Sequence, residues 1–176
     1  MTVRTTRIPG MLVIKPPVAA DERGTFAELF QQRELAGHGW KGGFVRSALS
    51  HNRRRATLRG LHYQQAPHAD AKLVTCIRGA MWDVIADVRP DSPAFGTWES
   101  VELTEDNRVC VFLPEGVAHG FETLADDTTV LYHLGAYYVR DAAAGIRWDD
   151  PTLGIAWPLS PEVVSEQDRS WGRLAP

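Results

Sequence analysis

A chain of 176 residues, 44% hydrophobic and 23% charged, suits one domain with its own core and is too short for two ordinary ones. With 15 Gly and 11 Pro it has globular usage, which excludes disordered, collagen-like and low-complexity architectures. The 19 basic and 22 acidic side chains leave a net charge of −3, too weak a field to draw in nucleic acid or an anionic membrane surface.

A single domain over 1–176 is therefore expected. No apolar run approaches the roughly 20 residues of a membrane-spanning helix. The opening MTVRTTRIPGMLVIKPP also lacks the apolar centre of a signal peptide, so the reading is a soluble cytoplasmic protein. In chain order the first predicted element is a helix within TFAELFQQRELAGHG, where Phe26, Leu29, Phe30 and Leu35 recur at roughly helical spacing and Gly37 follows. The basic run Arg53–Arg55 reads as a solvated turn. Seven stretches then read as strands: TLRGLHYQ, AKLVTCIRGA, MWDVIADVRP, WESVELTE, RVCVFLPEG, HGFETLA and TTVLYHLGAYYV. They are rich in Val, Leu, Tyr and Trp, often alternate, and are separated by Pro and Gly turns. A few C-terminal residues supply a second short helix. Many short strands of this kind build a β-sandwich, a jelly roll or a small barrel, any of which can enclose a ligand cavity.

Alternation also predicts where polar groups sit. In TLRGLHYQ, residues Gly60, His62 and Gln64 share one face, while Arg59, Leu61 and Tyr63 share the other. Lys72 alternates with Val74 and Cys76, which places an ammonium on an apolar face. His119 shares a face with Phe121, and Tyr132 shares one with Val130 and Leu134. Each residue alone is more commonly a satisfied core group. Together in one cavity they supply a base near neutral pH, a cation for a developing oxyanion and a second proton donor. The histidines show no compact ligand spacing, which disfavours a metal site. No glycine-rich phosphate loop is present. Cys76 and Cys110, without a C-x-x-C pairing, read as buried free thiols.

Six ordered blocks resemble the dTDP-4-dehydrorhamnose 3,5-epimerase family over nearly the whole chain. They are DERGTFAELF, SHNRRRATLRGLHYQ, AKLVTCIRGAMWDV, DSPAFGTW, PEGVAHGF and IRWDDPTLGIAWP. The resemblance implies a mainly β, cupin-like double-stranded β-helix (jelly roll) with one or two short helices. It implies no metal and no redox cofactor, and a homodimer. By the same resemblance His62 is the base, Asp168 in SEQD orients it, Tyr132 is the proton donor and Lys72 steadies the enolate oxygen. Arg23, Phe26, Glu28, Arg59, His119 and Tyr138 are implied to bind substrate, with Trp148 beside them. The implied substrate is a nucleotide-linked 4-keto-6-deoxyhexose, with dTDP as the nucleotide. Its C3 and C5 both flank a carbonyl, so removing either proton gives an enolate.

The chain departs from the family pattern at Arg46, Ala48 and Ala56, where many relatives carry Gln, Asn and Gly. Those positions bear on the exact sugar more than on the reaction. Three other functions stay open on the residues: a nucleotide-sugar 3,4-ketoisomerase, a non-catalytic nucleotide-sugar-binding cupin and a metal-dependent cupin oxygenase.

Overall fold

The computed structural model describes residues 1–40 and 42–175. In chain order the strands are β1 (Thr2–Thr5), β2 (Leu12–Lys15), β3 (Val18–Asp21), β4 (Gly24–Ala27), β5 (Arg46–Asn52), β6 (Thr57–Gln64) and β7 (Lys72–Arg78). They continue as β8 (Ala80–Ala86), β9 (Trp98–Thr104), β10 (Cys110–Leu113), β11 (Ala118–Thr123), β12 (Thr128–Leu134), β13 (Ala143–Gly145) and β14 (Val163–Val164). Two short helices are α1 (Gln32–Gly37) and α2 (Glu166–Ser170). Among the described residues no helix is long and apolar enough to cross a membrane.

Two main sheets form. The first runs β1-β2-β10-β7-β12-β5 and the second β13-β6-β11-β8-β9, with β14 added in parallel to β6. Strands β3 and β4 make a separate hairpin. The main sheets face one another in a jelly roll because alternate residues of both are apolar: Val74, Val111 and Val130 of the first sheet pack with Met81, Ile85 and Phe121 of the second. The outer face of the first sheet is covered by Leu35 of α1 with Trp40 and Phe44. That of the second is covered by the chain after β13, through Ile146, Leu153 and Leu174. Cys76 and Cys110 are buried free thiols, and desolvation pushes both up to about 11.

Strand pairing in the first sheet sets out the inward side chains in rows. One row is Arg46, Leu134 and Lys72 across β5, β12 and β7; the next is Ala48, Tyr132 and Val74. In the second sheet the inward parity of β8 puts Asp83 between Met81 and Ile85, so a carboxylate enters the core beside β11.

Two expectations change. The predicted helix over 25–39 is confined to Gln32–Gly37, because Thr25–Ala27 pair in the β3–β4 hairpin and Phe26 is 74% exposed. Simple alternation also fails in β6. His62 lies opposite His119 while Arg59 lies opposite Phe121, a register irregularity that puts Arg59 on the same inward side as His62. Gly60 absorbs it with φ of +126°, and a Cβ there would meet the Gly120 Cα at 2.5 Å. Glycine is required by both the backbone conformation and the close approach.

Candidate active site

Between the sheets, at the end where β6, β7 and β12 carry polar residues, a pocket of about 320 Å³ is lined by His62, Lys72, His119, Tyr132 and Tyr138. His62 comes from β6 and its Nε2 lies 2.5 Å from Asp168 Oδ1. Asp168 reaches it from α2, whose first turn is capped by the Ser165 hydroxyl accepting the Asp168 N–H at 3.0 Å. Its second oxygen accepts the Gly60 N–H at 3.4 Å. The Asp168 side chain is 4% exposed and that of His62 is 43%, so the carboxylate is the buried anchor and the imidazole faces the pocket. Burial pushes the Asp168 carboxyl up, but the bond and charge of His62, the Ser165 hydroxyl and the Gly60 N–H outweigh it and hold the group below its usual range. An ionised Asp168 accepts from Nε2–H, so neutral His62 presents the lone pair of Nδ1. The Trp171 ring stands edge-on to His62 at 6.2 Å between centroids.

Lys72 opens β7 and donates to the His62 carbonyl oxygen at 3.4 Å. Burial pulls its ammonium below the ordinary lysine range, and Asp70 and Asp83 oppose that. Tyr132, in the facing sheet from His62, has its phenol pushed far above the ordinary range, first by burial and then by the Asp83 charge, with Arg59 opposing. It stays protonated. His119 Nε2 lies 2.6 Å from Asp83 Oδ1, both are buried, and its ring is 6.0 Å from that of Tyr132. Asp83 Oδ2 has no partner among the described residues. Among those residues, no group of three or more His, Cys, Asp or Glu side chains is arranged to hold a metal ion.

The other expected residues divide. Tyr138 lines the pocket and is 61% exposed. Arg59 is tied to Asn52 Oδ1 at 2.7 Å, outside the lining but close enough to act on Tyr132. Arg23, Phe26 and Glu28 are not brought to this pocket. Arg23 pairs with Asp21 at 2.5 Å on the exposed hairpin, and Arg23 and Phe26 line a separate shallow cleft there. Glu28 accepts from Gln31 at 2.6 Å. Trp148 does not line the pocket; its carbonyl accepts from the Trp157 indole at 2.9 Å, which fixes that segment in the outer cover.

Sequence reasoning assigned no site role to Gln64, Asp70 and Trp171. Gln64 accepts the Val139 N–H at 2.7 Å and donates to the Tyr137 carbonyl at 3.2 Å, which holds the segment presenting Tyr138. The signal was its shared parity with His62. Trp171 gave none, since a lone C-terminal tryptophan has no pattern to belong to.

The family model for dTDP-4-dehydrorhamnose 3,5-epimerase matches residues 5–176. The chain belongs to the dTDP-4-dehydrorhamnose 3,5-epimerase family. It is 40% identical over 169 residues to the Shigella flexneri dTDP-4-dehydrorhamnose 3,5-epimerase, covering 96% of this chain and 93% of that one. A Bacillus anthracis epimerase of this family, solved with TDP and pyrophosphate bound, superposes with a TM-score of 0.94 at 36% identity, covering 98% and 99% of the two chains. A 3'-monoepimerase from Streptomyces bikiniensis in complex with dTDP-quinovose is also similar, with a TM-score of 0.89 at 32% identity and coverage of 96% and 86%. Membership of this epimerase family makes the protein an isomerase with a cupin-like fold.

Proposed function

We propose that this chain epimerises C3, C5 or both of a dTDP-linked 4-keto-6-deoxyhexose by proton removal and opposite-face return, without a redox cofactor or metal. The observation that carries the reading is that His62, oriented by Asp168, and protonated Tyr132 line one pocket from facing sheets. His62 takes the proton beside the ketone, Lys72 stabilises charge on O4, and Tyr132 supplies a proton to the other face. His119, held by Asp83, is a further polar contact for the sugar. Arg59, on the same inward side as His62, is a cation for the phosphates. A ketone makes the neighbouring C–H acidic enough for this route, so the chemistry calls for neither hydride transfer nor a Lewis acid.

A homodimer is part of this reading. The β3–β4 hairpin exposes both of its faces and carries Arg23 and Phe26 away from its own pocket, so these residues serve a site only when a second copy receives them. The deciding experiment is incubation with dTDP-4-keto-6-deoxyglucose in D2O, followed by NMR at C3 and C5. Deuterium entry with inverted configuration is expected. Migration of the carbonyl marks a ketoisomerase instead, and binding without exchange marks a non-catalytic module. Sedimentation of the same sample is expected to give a dimer; a monomer that turns over at full rate contradicts the exchanged hairpin.

A further inference from the structure

The row Arg46, Leu134 and Lys72 places two cations on one inward face, two strands and roughly 10 Å apart. Asp70 sits just before β7 and is buried. Its Oδ1 accepts the Ala136 N–H at 2.9 Å, and its Oδ2 lies 3.4 Å from Arg46 Nη2. Arg46 Nε in turn donates to the Ala136 carbonyl at 2.8 Å. Guanidinium, carboxylate and the Ala136 backbone N–H and C=O thus close a ring in the pocket wall, which Arg46, Asp70 and Lys72 all line. Lys72 is not in that ring, and its hydrogen bond at 3.4 Å goes to a neutral carbonyl.

We propose that Asp70 and Arg46 are positioning residues that act through Lys72: the Asp70 charge supports the ammonium from the pocket wall, and Arg46 limits that support by pairing with Asp70 and by adding a like charge. The inference rests on the epimerase reading for its catalytic consequence, though not for the charge effect itself. Around Lys72 stand His62 from β6, Asp83 from β8, His119 from β11, Tyr132 from β12 and Arg46 from β5, with Asp70 on its own segment. Burial depresses the ammonium most, Asp70 and Asp83 support it, and Arg46 opposes it. An oxyanion partner must be charged at the working pH, yet it stabilises a developing enolate best when its own proton is not held too tightly. A buried carboxylate paired with Arg46, in the same pocket wall as Lys72, sets that compromise, and each partner can be removed separately.

The chain has three lysines, Lys15, Lys41 and Lys72, so a full-length sample labelled with 13C at lysine Cε gives three signals, with Lys72 assigned by loss in Lys72→Gln. The free protein is titrated from neutral to alkaline pH as wild type, Asp70→Asn and Arg46→Gln. The Lys72 midpoint is expected to fall by about one pH unit in Asp70→Asn, the lower end of what a nearby opposite charge does. It is expected to rise in Arg46→Gln. The alkaline limb of deuterium wash-in on the keto sugar is expected to follow both shifts. Midpoints that stay in place, or move in the same direction, overturn the proposal. Midpoints that move as expected under an unmoved wash-in limb support the charge effect and refute the part of Lys72 in the reaction. No wash-in by the wild type refutes the epimerase reading and leaves the titration to judge the pair. Asp70→Asn keeps an oxygen for the Ala136 N–H, and if it nevertheless fails to fold, Arg46→Gln decides the matter by its sign.

Discussion

Asp168→Asn tests how the base is prepared. In the wild type one carboxylate oxygen faces His62 Nε2 at 2.5 Å and the other accepts the Gly60 N–H at 3.4 Å. An asparagine side chain can satisfy only one arrangement. If its oxygen stays on Gly60, its NH2 points at Nε2, which must then be the unprotonated nitrogen, and the pocket-facing Nδ1 carries the proton and is no base. The competent arrangement turns the oxygen to His62 and sets the NH2 against the Gly60 N–H, two donors facing each other in a buried place. Leaving such a donor unpaired costs about 1–3 kcal/mol. The wild-type Gly60 contact is long, so about 1 kcal/mol is appropriate, roughly a fivefold loss of competent enzyme. Losing the negative charge beside the imidazolium formed on proton removal adds about another tenfold or more. Deuterium wash-in at C3 and C5 of dTDP-4-keto-6-deoxyglucose should fall by about 50-fold to several hundredfold, less than for His62→Ala. The Ser165 cap uses the backbone of residue 168, so α2 and the thermal midpoint should persist. A folded Asp168→Asn protein with wash-in within twofold of wild type refutes the tautomer argument.

Tyr132→Phe removes a hydroxyl with no hydrogen-bond partner among the described residues and keeps the packed ring. It should retain wash-in from the His62 face with retained configuration and lose epimerised product by about 10²–10⁴-fold; full epimerisation by this variant moves the donor role elsewhere. Gly145→Ala brings a Cβ to 2.5 Å from the Trp171 ring, which packs against His62. We expect a loss of about 1–3 kcal/mol from overpacking, read as a lower Tm, together with slower wash-in; wild-type values for both contradict the wedge. Asp87, Asp150 and Asp168 are each pushed up by burial but held lower overall, by Arg89 and Ser92, by the Leu174 and Thr152 N–H groups, and by His62 respectively. Their folded values lie below the ordinary 3.8, so their stabilisation is complete above that pH and is lost as pH falls through the folded values. Tm measured against pH should therefore drop as pH falls through the acid range, and a Tm flat to strong acid contradicts the three shifts.

The alternating strands were the most legible part of the chain. TLRGLHYQ coincides with β6, end to end, because a run rich in Leu and Tyr lies between clear turn signals. RSALSHN gave no comparable signal: Ser47, Ala48 and Ser50 are small, and Leu49 points outward at an edge, so β5 is defined by its pairing with β12 rather than by local pattern. The helix was overextended because Phe26, Leu29 and Phe30 have helical spacing although Phe26 pairs in a strand, a tertiary choice that spacing does not report. Lys72, His119 and Tyr132 are readable because each places a polar atom among apolar residues of its strand face, and His62 joins them from a polar one. Arg59 was assigned to the wrong face because period-two counting assumes a regular strand, and Gly60 breaks it. Asp70 belongs to no sequence pattern, and its partner Arg46 lies 24 positions away.

The pairing of His62 with Asp168 spans 106 positions. The two partners meet only when the chain after β13 lies across the second sheet, held by Val163 and Val164 beside Thr57 and Leu58, by the Gly172 carbonyl accepting from Arg147, and by the Leu174 N–H on Asp150. Closing so long a loop costs more chain entropy than forming a local hairpin. The imidazole therefore has its orienting carboxylate only while that segment is docked on the second sheet. Local detachment of the C-terminal strap would then silence the base while uncovering Leu61, Val84 and Ala118, so the docking free energy of that strap bears directly on the fraction of molecules able to react.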